Sequence, residues 1–485
     1  MKHLQIICLL TCILLVVSCK TKDKVVIIND NEYIDVTDYG ISNNTSRDQT
    51  KAIQKLLLKN RKNGKFFFPE GDYHVSSLNI YEGIEIVGEE DTWFVKAKNC
   101  EKFSRMFNTI KYMYSGRGDS KTIKFSNINI DGNFRNQGNY DKYELEHQAM
   151  IFLMADKAQS GRLKVEIDNC NFTDGVADAI SVYCNVDAKI TNCSMTDVFR
   201  GGITVTGGHT KVYANNIDIG GSIHRSGIDI EIDGIGYKGS KATEIEYSNM
   251  TIEGDFDVSA IEGGVSKFDS ITVTTFPYNF YAAKGTIEVS NSSFVSSGLT
   301  SAKMYFPANV KFDNCNFTIV DSDMEGDLGA FYVYWNTSYR SSKDLKLNFN
   351  NCKFINTVKD PTRVVKGISV LPDDYSKGNI LTMQDCEFIG DFDYNIFMKQ
   401  GGKVDLKNVA FDGKKGLRLN SVVGKSKYRY SANLDNVIMK KDSSKVLFYS
   451  DHNANQISLK NTKLDKSNAS GKKRFGKTKI VNSHN

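Results

Sequence analysis

Four short segments of the chain share one alternation: Ala179-Ile180-Ser181-Val182-Tyr183, Gly202-Ile203-Thr204-Val205-Thr206, Gly227-Ile228-Asp229-Ile230-Glu231 and Ala260-Ile261-Glu262. Successive side chains of an extended strand point to opposite faces, so Ile180, Val182, Ile203, Val205, Ile228, Ile230 and Ile261 share one side. The other side then carries a column of Ser181, Thr204, Asp229 and Glu262, with Tyr183, Thr206 and Glu231 beside it. Stacked as rungs ~4.8 Å apart, the carboxylates of Asp229, Glu231 and Glu262 crowd one patch. Like charges that close raise one another's pKa unless a cation or a catalytic need compensates. Two such groups can serve as acid and base or acid and nucleophile in glycosidic cleavage, and all three together could hold Ca2+.

Further polar residues border this patch. Extending the register one residue before each strand aligns Arg200 with Arg225; His224 sits beside Arg225, and His209 and Lys211 follow the second strand. His147 precedes an apolar stretch and has no settled register. On the other side Asn279-Phe280-Tyr281, Lys303-Met304-Tyr305 and Phe331-Tyr332-Val333 continue the outward line, with Lys284 just beyond. Aromatic faces stack on the apolar C–H surface of sugar rings, and guanidinium groups pair bidentately with carboxylates or sulfates. Tyr183, His209, Tyr281, Lys284, Tyr305 and Tyr332 are therefore expected to line a sugar-binding groove.

The residues admit three readings. In β-elimination, Arg200 and Arg225 neutralise a uronate carboxylate, His224 removes the acidified C5 proton, and Tyr281 or Lys284 protonates the leaving oxygen. A Ca2+ held by Asp229, Glu231 and Glu262 would do the same neutralising. In hydrolysis, two of the three carboxylates act on the bond directly. In the third, the groove binds glycans without cleaving them, the acids are a solvated face, the arginines compensate them, and the tyrosines reflect β-propensity. The Arg/His/Lys border favours an acidic, uronate-containing polysaccharide and β-elimination, since a neutral glycan has no use for paired guanidiniums.

What positions these residues is a repeat. Asp168-Asn169-Cys170-Asn171-Phe172, Thr191-Asn192-Cys193-Ser194-Met195, Asp313-Asn314-Cys315-Asn316-Phe317, Asn350-Asn351-Cys352-Lys353-Phe354 and Gln384-Asp385-Cys386-Glu387-Phe388 share one frame. Cys170 and Cys193 are 23 residues apart and Cys352 and Cys386 are 34 apart, a short period with insertions. Short alternating strands joined at Asn/Asp/Gly turns, with no helix between them, predict an all-β solenoid, a right-handed parallel β-helix. A cysteine recurring at one position of each coil reads as a small buried hydrophobe rather than a disulfide or zinc ligand.

The opening of the chain is similar to that of the pectate-lyase-like right-handed β-helix superfamily. The resemblance lies in Val36-Thr37-Asp38-Tyr39-Gly40, Asp48-Gln49-Thr50-Lys51-Ala52-Ile53-Gln54, Gly64-Lys65-Phe66-Phe67-Phe68-Pro69-Glu70-Gly71-Asp72-Tyr73 and Ile84-Glu85-Ile86-Val87-Gly88. It implies a short N-terminal helix capping the first coil. The residues agree: Ser46-Arg47-Asp48-Gln49 suits a capping box, Ile53, Leu56 and Leu57 form one apolar face, and Gly64 is a stop. The Asn-Thr-Asp, Gly-His-Gly and Arg-Ile-Lys motifs of the β-helix polygalacturonases are absent from the sequence, and no Asp-Asp pair falls in the four aligned segments.

Composition bounds the rest. With 485 residues, 40% hydrophobic and 25% charged, the chain is neither disordered, collagen-like nor a multi-span membrane protein. Residues 1–18 resemble a lipoprotein signal peptide, with Lys2 and His3, an apolar run, and Val16-Val17-Ser18 before Cys19, the expected lipidation site. Residues 19–32 then form a tether, 33–465 the catalytic β-helix, and 466–485 a basic tail. The formal charge of +5 becomes +4 on loss of Lys2, too small to suggest a nucleic-acid partner. A monomer in the cell envelope is expected, held at a Gram-negative outer membrane by its lipid alone.

Overall fold

A computed structural model of the protein describes residues 25–101, 103–109, 119–138, 148–155, 161–221, 226–231, 243–259, 264–274, 278–281, 285–296, 302–305, 309–322, 326–334, 346–371, 380–399, 402–420, 430–440, 446–450, 456–462, 469–470 and 479–482. His147, His224, Arg225, Glu262, Lys284 and the whole signal segment with Cys19 lie outside them.

Each coil begins with a strand that bends at one residue and continues, as in Leu163–Thr173 and Val186–Thr196. The bend is made by Asn169 and Asn192 with φ of 51° and 54°, the left-handed region that asparagine tolerates better than most side chains. The same conformation recurs at Asn216, Asn249, Asn291, Asn314, Asn351, Asn408 and Asn436. Their amides hydrogen-bond along the axis: Asn169 donates to Asn127 at 2.9 Å, Asn216 to Asn192 at 2.8 Å and Asn314 to Asn291 at 2.8 Å. A short second strand, such as Asp178–Val182 or Gly201–Val205, closes the coil. Among the described residues these closing strands form a parallel sheet of fifteen, the front sheet, facing a larger sheet built from the bent strands, the back sheet. The architecture is a right-handed parallel β-helix.

The interior is filled by the residues that follow each bend. Cys170, Cys193, Cys315, Cys352 and Cys386 are buried and unbridged, and burial holds the Cys170 thiol well above its ordinary pKa. Two residues further on, Phe294, Phe317, Phe354 and Phe388 stack in sequence, with centroids 5.4, 5.2 and 4.6 Å apart.

The helix Thr50–Lys59 buries Ile53, Leu56 and Leu57 against this core, and so covers the first coil. Its start differs from the expected capping box: Asp48 accepts from the Thr50 N–H at 2.8 Å, while the Gln49 side chain turns to the backbone of Ser42. It ends at Asn60, before Gly64. Part of the expected tether is a strand, since Val25–Ile28 pairs antiparallel with Asn31–Asp35. Part of the expected tail is strand too, at Ala469–Ser470 and Lys479–Asn482. No helix among the described residues is long and apolar enough to cross a membrane.

Candidate active site on the front sheet

The front-sheet register places Ser181 opposite Thr204 and Thr204 opposite Asp229, as the alternation requires. The next partner is Asp257 rather than Glu262. The back strand Glu244–Glu253 is followed by a single linking residue, Gly254, and the front strand Asp255–Ser259 begins at once. Gly254 has φ of 137°, a conformation open to glycine, and so the chain turns the corner without the longer linker of the preceding coils. Phe256 and Val258 take the interior places expected of the Ala260-Ile261 segment, which lies outside the described residues.

Around Asp229 the structure gathers charge. Asp178, at the head of its strand, is 2% exposed and accepts a hydrogen bond from Ser181 Oγ at 2.6 Å. Arg200 is anchored through its backbone N–H on Ala177 O at 3.0 Å. Its guanidinium spans two acids, with Nε 3.6 Å from Asp178 Oδ1 and Nη2 3.9 Å from Asp229 Oδ2. Burial pushes the Asp229 pKa up to about 8, reinforced by the charges of Glu231, Asp257 and Asp178 and opposed by Arg200. Asp229 is thus a carboxylic acid at neutral pH among ionisable neighbours, the condition under which one carboxyl donates a proton while another receives one.

The borders differ from expectation in part. Tyr183 is half-buried, its ring 5.3 Å from that of Phe152, the residue before Ser181 in the outward column. Arg105 lies flat on Phe152, its guanidinium carbon 3.6 Å from the ring centroid, and burial lowers its pKa. His209 is buried, its Nδ1 on Asn185 Oδ1 and its carbonyl accepting from Arg162 Nε at 3.0 Å, which ties it into the wall of the solenoid. Lys211 belongs to the back sheet and pairs with Glu244 at 2.9 Å. Tyr332 points outward between the interior residues Phe331 and Val333, but is only 4% exposed and folds over Gly329. Tyr281 and Tyr305 are neighbours in register, and Tyr281 follows Ser259 and Glu231 in their column.

Asp178, Asp257 and Arg105 were not singled out from sequence. Asp178 precedes an alternating strand by one residue, and Asp255-Phe256-Asp257-Val258 is itself an alternation. Arg105 has no local signal, because its partner Phe152 comes from another coil.

The expected Ca2+ set is described only in part: Glu262 lies outside the described residues, Asp229 Oδ2 faces the Arg200 guanidinium at 3.9 Å, and among the described residues no group of three His, Cys, Asp or Glu could hold a metal ion. An open concavity of about 600 Å3 lies on the back sheet, where Lys267 with Glu246 and Lys311 with Glu288 neutralise one another at 3.4 and 2.9 Å.

The chain is a right-handed parallel β-helix protein. Residues 33–261, which include Asp178, Arg200, Asp229 and Asp257, match the family model described as rhamnogalacturonase A/epimerase, pectate lyase-like. None of the curated proteins matches the chain in sequence. Among solved structures, a family 28 exopolygalacturonase of Yersinia enterocolitica is similar at 12% identity and TM-score 0.45, over 78% of each chain. The catalytic unit of a GH87 alpha-1,3-glucanase of Streptomyces thermodiastaticus is similar at 13% identity and TM-score 0.44, over 90% of this chain and 69% of that one. The N-terminal fragment of bacteriophage Phi29 gene product 12 is similar at 14% identity and TM-score 0.49, over 88% and 70%.

Proposed function

We propose that this protein is a carbohydrate-active enzyme that cleaves a glycan by hydrolysis at the Asp178–Arg200–Asp229–Asp257 patch. The observation that carries the reading is Asp229, a largely buried carboxyl whose pKa rises to about 8 beside Glu231, Asp257 and Asp178. In its protonated form Asp229 donates to the glycosidic oxygen as the leaving group departs. An ionised neighbour, Asp257 or Glu231, takes a proton from the attacking water. Arg200 holds Asp178 and Asp229 in place and offsets the charge that the patch accumulates once the proton is gone. The match to a rhamnogalacturonase A/epimerase model over residues 33–261 supports a glycan substrate. Arg105 over Phe152, beside Tyr183, supports one that carries carboxylates.

β-Elimination is the second reading, and Arg200 favours it. A guanidinium within 4 Å of a proton-transferring carboxyl is also what uronate neutralisation requires. One assay separates the two. The soluble chain lacking residues 1–19 is incubated with pectin, rhamnogalacturonan, glycosaminoglycan and alginate, and both reducing ends and unsaturated-uronate absorbance are followed. Reducing ends alone are expected, and their loss in Asp229→Asn places the reaction at this patch. Absorbance rising with reducing ends selects elimination, and binding with neither product would leave a glycan-binding solenoid.

For location, we propose lipidation at Cys19 and anchorage in the cell envelope. Labelled palmitate should enter the parent protein and not Cys19→Ala.

A further inference from the structure

Beyond Tyr332 the outward column of the front sheet runs through Ser369 and Phe397 to Arg418. The surface changes character there. Tyr394 and Phe397 have ring centroids 5.8 Å apart. Arg418 spans both, 4.8 Å from the Tyr394 centroid and 5.3 Å from that of Phe397. Lys415 lies 4.5 Å over Tyr394, and Lys366, which also pairs with Asp327, lies 5.4 Å over Phe397. Arg418 Nη1 and Lys415 Nζ both donate to the Tyr394 hydroxyl, the lysine at 3.2 Å. Two cations are thereby brought together on one neutral oxygen, with a third close by.

We propose that this patch is a second glycan-binding site, which holds an anionic sugar by its carboxylate or sulfate. A planar guanidinium fork suits either oxyanion, and the two rings supply apolar edges for the pyranose C–H surface. The register argues for a polymer. Phe397 stands in the same outward column as Asp229, with Asp257, Asn279, Lys303, Tyr332 and Ser369 between them. That separation is roughly 30 Å at ~4.8 Å per rung. The two places share one face and one register, and a polymer held at one has a raised effective concentration at the other. The site needs no chemistry at Asp229, and so it stands or falls apart from the proposed reaction.

The test uses the full chain and the variants Lys415→Gln, Arg418→Gln and both together. Affinity electrophoresis is run with polygalacturonate as the carboxylate probe, dextran sulfate as the sulfate probe, dextran as the neutral control and single-stranded DNA as a polyanion without pyranose rings. The parent is expected to be retarded by one or both acidic glycans and not by dextran. The double variant should bind at least about 10-fold more weakly and each single variant about 3-fold more weakly, with melting temperatures unchanged. Retardation is read without reference to cleavage, so the comparison of parent and double variant is independent of the proposed reaction. If the double variant binds like the parent, if dextran binds equally well, or if DNA binds as tightly as the acidic glycans, the proposal is overturned. If Arg418→Gln lowers the melting temperature, Lys415→Gln alone decides, read at a melting temperature equal to the parent's.

Discussion

Asp229 is shaped by burial first and by its acidic neighbours second, both raising its pKa against the opposing charge of Arg200. The pH dependence follows from that direction. Its folded pKa, about 8, lies above the ordinary carboxylate value, so the folded chain keeps a proton that the unfolded chain releases. By linkage, the group costs no stability below the unfolded pKa, and the penalty grows as pH rises toward 8. Asp229→Asn should therefore melt at a higher temperature than the parent at pH 8, with the difference vanishing near pH 4, in a pair of thermal unfolding series. Activity should fall along an alkaline limb near pH 8 as the acid is lost, measured as kcat/KM on the best substrate of the panel. Arg200→Lys keeps a charge but cannot span Asp178 and Asp229 with a planar fork, and a drop of ~10-fold or more in kcat/KM is expected. The column through Ser181, Thr204 and Asp229 was legible because strand alternation alone dictates it. Arg105 was not, because a side chain that lies over a ring from another coil leaves no periodic trace.

At the scale of the element, one linking residue decides where the third carboxylate stands. Gly254, at φ of 137°, lets Asp255–Ser259 start directly after the back strand. Linker length is what alternation cannot reveal. Read with a linker as long as its neighbours', the coil puts Glu262 in the column; read with Gly254 alone, it puts Asp257 there. Gly254→Val should strain that corner by about 1–2 kcal/mol and displace Asp257, lowering activity far more than melting temperature. The asparagine bends were legible for the opposite reason, since every coil repeats them with the same neighbours. Asn314→Ala removes both a left-handed-tolerant side chain and the bond to Asn291, and urea unfolding should register a loss of ~1–3 kcal/mol.

At the scale of the molecule, the solenoid is stable only if its ends are covered, because an open coil presents a row of unpaired backbone groups. The helix Thr50–Lys59 does this at the N-terminal end. Leu57→Ala, at a fully buried position, should cost ~2–4 kcal/mol and shift the elution profile from that of the parent toward higher-order species on size exclusion. Were the elution profile and the stability both unchanged, the helix would be a passenger rather than a cover. The resemblance at the start of the chain made this helix legible together with its apolar face. Its first turn departs from the expected box because Asp48, two residues after the expected cap Ser46, takes the leading N–H itself.

The shared register of Asp229, Asp257 and Phe397 makes the front sheet a ruler marked in rungs. A duplicated or deleted coil between Asp229 and Phe397 would change their spacing in steps of ~4.8 Å while leaving both facing the same way. Related solenoids could then be matched to polymers of different repeat length by copying whole coils, with neither site rebuilt.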